Sequence, residues 1–327
     1  MTMRPPAILA AAGFLALSTQ AYAWDPTPDA ARIVSDPLYL PLQSQLLGTT
    51  SYAYGTTTEN VFDDTGARTS SNRIDLNEID QALAYGVTDD LTLRLNWGYA
   101  PSRTVTRQLV PSGSDERSGS GWTDPDFGVT WRVLDQRDNP LTLDLRADYS
   151  PDAFPAKAAN TDDDGTVARG GQMADLGATL GREMGDFTIA GTFDAKYLGS
   201  SKVLNQVSDE FTRTDALWNY TLGLDTQTRI TDRFSINAGL GHTFANDADV
   251  VNETNGLEHI AQTGDSNDFN VALNYHFIPN TVVGSIRYQH NFYDATHNVF
   301  PAAPVDNTAV LDRNEDVVGV TLRYLIR

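Results

Sequence analysis

Cysteine is absent from this 327-residue chain. No disulfide can brace it, so a chain of this length in an oxidising compartment must depend on continuous hydrogen bonding and packing. Positive charge is scarce: 23 Lys and Arg stand against 43 Asp and Glu, a formal net charge of -20 with a pI near 4.4. Nucleic acid is thereby excluded as a partner, because neutralising phosphates takes clustered Lys and Arg. Long apolar runs are lacking beyond the amino terminus, and the mean hydropathy is -0.34. No bundle of membrane-spanning helices is encoded. Acidity alone leaves three classes open: a soluble acidic protein, a halophilic surface, or loops facing cation-rich lipopolysaccharide.

The single apolar run predicts an exported protein. Arg4 supplies a minimal positive region, Ala7 to Leu17 (AILAAAGFLAL) is an apolar core, and Ala21-Tyr22-Ala23 places small residues before Trp24. Residues 1–23 read as a cleaved signal peptide, too short in its apolar part for the roughly 20 residues of a spanning helix. Residues 24–41, rich in Pro and Asp, show no sustained period. They read as an irregular periplasmic segment, either a tail or a small plug.

From Leu42 onward apolar and polar positions alternate. In Leu91-Thr92-Leu93-Arg94-Leu95-Asn96-Trp97-Gly98-Tyr99 every second residue is apolar, and the same period recurs at 127–133, 141–149, 269–277 and 318–326. Period two is the signature of strands with one oily and one wet face. Tight turns at Val87–Asp90, Gln136–Pro140, Gly185-Asp186, Thr231–Arg233 and Pro279-Asn280 alternate with polar stretches at 57–73, 104–123, 152–171, 201–213, 248–267 and 295–313. Short turns on one rim and long loops on the other describe a transmembrane barrel. The stretches predict about twelve strands, roughly 43–56, 74–87, 91–103, 124–135, 141–151, 171–184, 187–200, 214–230, 234–247, 267–278, 281–294 and 314–326, bounded to within about 2–4 residues. The second has a slipped period at Asn77 to Ile79. The expected fold is all-β, a transmembrane antiparallel up-and-down barrel over 42–327, with both ends on the periplasmic side.

Aromatic residues support that orientation. Trp97, Tyr99, Tyr149, Tyr197, Trp218, Tyr220 and Phe292 fall at one set of strand ends, Tyr85, Phe187, Phe234, Phe277 and Tyr324 at the other, as expected of girdles flanking an apolar belt. If the apolar phase faces lipid, the lumen receives Arg94, Arg132, Asp144, Arg146, Asp148, Asp175, Asp194, Lys196, Asp225, Arg229, Arg287 and Arg323. Such charges either line a solute path or neutralise one another across the interior.

Trp122-Thr123-Asp124-Pro125-Asp126-Phe127-Gly128-Val129-Thr130-Trp131-Arg132-Val133-Leu134, with the next strand closing at Tyr149-Ser150-Pro151, resembles a family of outer-membrane proteins associated with meta-cleavage pathways for phenol degradation. The turns Tyr85–Asp89 and Arg229–Arg233 are similar in style, and the resemblance spans 42–327. It implies a transporter for a small hydrophobic or aromatic solute in a Gram-negative outer membrane. Barrels of this kind finish on an aromatic residue read by the assembly machinery. Here the last residues are Tyr324-Leu325-Ile326-Arg327, which predicts weaker recognition of the final position.

Three competing classes remain: a general polar-solute porin, an outer-membrane enzyme of lipid-hydrolase type, and a structural or adhesive barrel. For the enzyme, Gly241-His242-Thr243-Phe244 offers a histidine, but Phe244 occupies the place where the hydroxyl nucleophile is needed. His276, His290 and His297 are not at metal-ligand spacing. Asp162-Asp163-Asp164-Gly165 lacks the spaced ligands of a calcium loop. The expectation is therefore a non-enzymatic barrel without metal or cofactor, whose partners are outer-membrane lipid and lipopolysaccharide, a small-molecule solute and the barrel assembly machinery.

Overall fold

A computed structural model of the chain describes residues 33–158, 164–205, 210–254, 256–301 and 307–326. The expected signal peptide, residues 24–32, Asp162-Asp163 and the final Arg327 lie outside these. Among the described residues no helix occurs and nineteen strands form one sheet.

Twelve strands close a barrel: β1 (Leu46–Phe62), β2 (Arg68–Gly86), β3 (Leu91–Leu109), β5 (Asp126–Leu134), β6 (Thr142–Ser150), β8 (Met173–Met184), β9 (Phe187–Leu198), β12 (Leu217–Thr231), β13 (Phe234–Phe244), β16 (Ser266–Ile278), β17 (Val282–Tyr293) and β19 (Thr308–Ile326). Each pairs antiparallel with the next, and β1 pairs with β19 from Leu46↔Ile326 to Phe62↔Ala309. Closure leaves no unpaired edge, the condition for placing β-structure in lipid, where a bare backbone amide finds no water.

Alternation assigns the two faces. Leu93, Trp131, Leu176, Leu240, Ile286 and Val320 are at least half exposed, a pattern that suits hydrocarbon rather than water. The opposite phase carries Thr92, Asp144, Thr188, Ser235 and Asn274, all buried. Gly128 shows how tightly that inner phase is fitted, since a Cβ there would lie 1.9 Å from Asp148 Oδ1. The second strand keeps its register with β1 through Asn77 to Ile79 despite its slipped apolar period, and the bulge lies on the neighbouring β3, which has one extra residue between Tyr99 and Ser102. It moves β3 from even to odd inner positions above it.

All five predicted tight turns connect neighbouring barrel strands at one rim, here called the turn end, where β1 also begins and β19 ends. At the opposite, loop end, the described residues of the six polar stretches form more strand than a loop reading allows. β1, β2, β3 and β19 run 17 to 19 residues, against the roughly 9–11 a tilted strand needs to cross a bilayer. Seven further strands, β4 (Ser114–Trp122), β7 (Lys157–Ala158), β10 (Ser201–Asn205), β11 (Glu210–Thr214), β14 (Ala248–Asn252), β15 (Glu258–Gln262) and β18 (Thr296–Val299), add to this wall. Pairings β10–β11–β14–β15–β18–β19 on one side and β3–β4 on the other extend the barrel as a collar beyond the apolar belt.

The first barrel strand starts at Leu46, after a segment with its own structure. Residues 33–41 turn inside the barrel at the turn end, where Ile33, Val34, Leu38 and Pro41 are buried. Val34 packs with Val283 and Leu325, covered by Tyr39 and Leu47.

Candidate functional site

The interior has two tiers. At the turn end the inner phase of β9, β12, β13, β16 and β17 presents short polar side chains, which bind the 33–41 segment rather than each other alone. Gln227 Nε2 donates to Ser35 Oγ at 2.7 Å, Asn237 Nδ2 to the Ser35 carbonyl at 3.0 Å, and Thr188 Oγ1 to Asp36 Oδ2 at 2.6 Å. Beneath these, Asn274 Nδ2 donates to Asn237 Oδ1 at 2.6 Å, and Ser285 Oγ to Asn274 Oδ1 at 2.6 Å.

Arg132 anchors the segment from the other wall. Its Nε and Nη2 reach Asp144 Oδ1 and Oδ2 at 2.8 and 2.9 Å, and Nη2 also donates to the Leu38 carbonyl. Both ends of this pair are buried, so the forked geometry supplies what water would otherwise give. Glycine makes room for the segment: a Cβ at Gly86 would lie 2.0 Å from the Leu42 carbonyl oxygen, and one at Gly181 2.9 Å from both Leu38 methyls.

Midway up the barrel the charges form a ladder along one wall. Arg94 Nη2 meets Asp148 at 2.6 Å, Arg146 Nε meets Asp148 at 2.9 Å, and Arg146 Nη2 meets Asp194 and, at 3.8 Å, Asp175. Gly128 and Gly177 lie under this ladder, and a Cβ at either would strike its carboxylates. The salt links therefore lie against the wall instead of projecting across the lumen. Of the twelve expected interior charges, the structure joins Arg94, Asp148, Arg146, Asp175 and Asp194 in this ladder and Arg132 with Asp144. Lys196, Asp225, Arg229, Arg287 and Arg323 share the inner phase without an ion pair within 4 Å among the described residues.

The expected aromatic positions lie on the outer phase. Phe127, Tyr149, Ala174, Tyr197 and Trp218 form one register row towards the loop end. Tyr197 and Trp218 rings lie 5.2 Å apart, and Tyr99 meets Trp122 at 5.1 Å. At the turn end Phe234 and Tyr275 are 4.9 Å apart, as are Tyr275 and Phe277. Trp122, Phe127 and Tyr275 are among the aromatics here that the sequence expectation did not include, although Trp122 adjoins a turn and Phe127 and Tyr275 keep the apolar phase.

His242 lies on the outer wall, its Nδ1 2.9 Å from Asn267 Oδ1 and its ring 4.3 Å from Phe244. The aromatic ring takes the position a nucleophilic hydroxyl would need. Asp164 accepts a hydrogen bond from Ser118 Oγ, and among the described residues no three His, Asp or Glu side chains are grouped as metal ligands.

The fold is similar to that of an outer-membrane channel from Pseudomonas putida F1, with a TM-score of 0.60 and 15% identity over 89% of this chain and 99% of that one. Lower likenesses are found to a deletion mutant of the TodX monoaromatic hydrocarbon channel, at TM-score 0.46 and 8% identity over 86% and 90% of the two chains, and to the outer membrane protease OmpT from Escherichia coli, at 0.38 and 11% over 86% and 97%. No family sequence model and no curated protein sequence matches the chain. What these comparisons share with the geometry is the architecture, and the chain has the fold of an outer-membrane β-barrel.

Proposed function

We propose that this barrel is a channel for a small hydrophobic or aromatic solute, with its turn end in the periplasm and its collar outside the cell. The observation that carries the reading is the seating of residues 33–41 within a closed wall, bonded to Thr188, Gln227, Asn237 and Arg132. A purely structural barrel has no need of a stopper, whereas a conduit for sparse solutes needs one to block leakage of polar molecules. The wall-lying salt ladder is consistent with this, since it keeps charge out of the lumen centre. The solute class follows from the sequence resemblance to proteins of phenol degradation, and the P. putida F1 structure being named an outer membrane channel supports the transport role alone. Lipopolysaccharide around the acidic collar and the barrel assembly machinery are the further partners of this reading.

Conductance of the mature chain in planar bilayers, and toluene flux into proteoliposomes, test it. Full-length protein should conduct ions weakly and pass toluene, and deletion of residues 33–41 should raise ion conductance several-fold. Absence of toluene flux with free passage of sugars would establish the polar-solute porin instead. Absence of both would leave the structural barrel.

A further inference from the structure

The collar holds a feature that the stopper and ladder do not use. Past the bulge, the inner phase of β1 to β4 forms a half-open pocket of about 230 Å³ lined by Ser70, Asn72, Arg107, Asp115 and Arg117, with Val61 and Val105 as its apolar part. The register explains the grouping: Asn72, Arg107 and Asp115 face one another across three strands, while Val105 faces Arg117 and Val61 faces Ser70. In an antiparallel sheet, directly opposed residues share a face with their Cβ atoms about 4.5–5.5 Å apart.

Polar groups around this cavity are only half used. Asn72 Nδ2 is committed to Glu59 at 2.9 Å, yet Asn72 Oδ1 is buried without a partner. Asp115 Oδ2 pairs with Arg117 at 3.1 Å, yet Asp115 Oδ1 is also unpartnered. Ser70 is 0% exposed and its hydroxyl makes no hydrogen bond among the described residues. Arg107, between the two orphaned acceptors, makes no ion pair or hydrogen bond among the described residues. Buried polar atoms are satisfied as a rule, so three orphans around one cavity, beside an uncommitted guanidinium, mark a missing partner.

We propose that this cavity is a capture site for a small hydroxylated monocarboxylate with an apolar body. Arg107 takes the carboxylate, with the Ser70 hydroxyl donating to it once the side chains lining the cavity shift to open its buried oxygen. The ligand hydroxyl donates to Asn72 Oδ1 or Asp115 Oδ1, and the body lies against Val61 and Val105. The volume is below the roughly 300–1,000 Å³ of drug-sized sites, which suits a ligand of about one ring. The proposal rests on the channel reading for its consequence, because a ligand held in the collar stands at the entrance to the interior.

Isothermal titration of the detergent-solubilised mature chain with 4-hydroxybenzoate tests it. Saturable binding should weaken by about tenfold or more in Arg107→Gln, by less in Ser70→Ala, and by about tenfold when 4-hydroxybenzyl alcohol replaces the acid, the loss expected for one charge-assisted bond. Arg233→Gln at the turn end should bind as wild type. Heat-modifiable mobility establishes that each variant is folded. Failure of the folded wild-type chain to bind, unchanged affinity in Arg107→Gln, or equally tight binding of inorganic phosphate would overturn the site. Toluene flux on the same preparations separates the two readings. Flux without 4-hydroxybenzoate binding removes the capture site alone, and binding without flux supports the site while removing the channel.

Discussion

The two ends of the barrel interior differ in who completes them. Ser235 and Asn274 at the turn end and Ser70 at the loop end are equally buried. Ser235 and Asn274 sit in a network finished by Ser35 of the chain's own segment, whereas Ser70 Oγ has no partner. The turn end has orphans too, among them Thr92 Oγ1, Arg182 Nε, Arg229 Nε and His276 Nδ1, but they are spread over β3, β8, β12 and β16. Burial of polar residues thus has two meanings in this molecule: internal closure below, and readiness for an outside ligand above.

The largest expected effect strikes the closed end. Arg132→Met leaves Asp144 buried with no forked partner and frees the Leu38 carbonyl. Breaking a buried pair from one side costs about 3–5 kcal/mol, which should appear as a lowered urea midpoint of barrel unfolding. Adding Asp144→Leu should restore most of that stability but not the grip on Leu38, so the double variant should remain more conductive than wild type. If it regains both, Arg132 does not anchor the segment.

A smaller effect separates the ends directly by adding one methyl group at each. Gly86→Ala would drive a Cβ into the Leu42 and Pro41 carbonyls at 2.0 and 2.6 Å. Backbone cannot step aside as a flexible side chain can, and overpacking of this kind costs about 1–3 kcal/mol. Gly66→Ala meets no atom within 4 Å, and its only penalty is the left-handed backbone at φ +79°, about 1–2 kcal/mol. Melting should register both, but bilayer conductance should rise only for Gly86→Ala. Equal conductance changes would sever the link between the segment and the pore.

Membrane-facing strands were legible in the sequence because lipid on one side and a polar interior on the other write a strict period of two, as in Leu91 to Tyr99. Beyond the lipid both faces are wet, and nothing enforces the period. Ser114–Trp122 and the outer halves of β1, β2 and β3 therefore read as loops although they form a continuous sheet. Sequence alternation also placed the twelve interior charges on one phase, but not their pairing, because Arg146 reaches Asp194 two strands away through contacts that register alone reveals. The plug alternative for residues 24–41 was open for a similar reason: Val34, Ser35 and Asp36 are ordinary residues, and only the surfaces of five distant strands give them partners. Likewise Arg107 gave no sequence signal, since what turns it inward is the one extra residue of β3 between Tyr99 and Ser102.

The smallest expected effect concerns protons at the loop end. Asp63, in the β1–β2 turn, accepts hydrogen bonds from Thr65 Oγ1 at 2.6 Å, Ala67 N at 2.9 Å and Thr65 N at 3.0 Å. The Thr65 hydroxyl, then the Ala67 amide, hold its carboxyl below the usual carboxylate range against a slight opposing effect of burial. The folded turn then binds fewer protons than the unfolded chain. Its contribution is full above the unfolded value near 3.9 and is lost as pH falls through the lower folded value. Amide exchange at Thr65 and Ala67, corrected for intrinsic rates, should lose protection as pH falls from about 5 to 2, over the window the unfolded carboxyl value sets. Asp63→Asn should flatten that dependence. The Gly86 amide at the turn end, bonded to the Gln45 carbonyl at 3.0 Å with no carboxylate involved, should stay protected throughout. Parallel loss at both sites would mean that acid opens the whole barrel and that the two ends are not independent units.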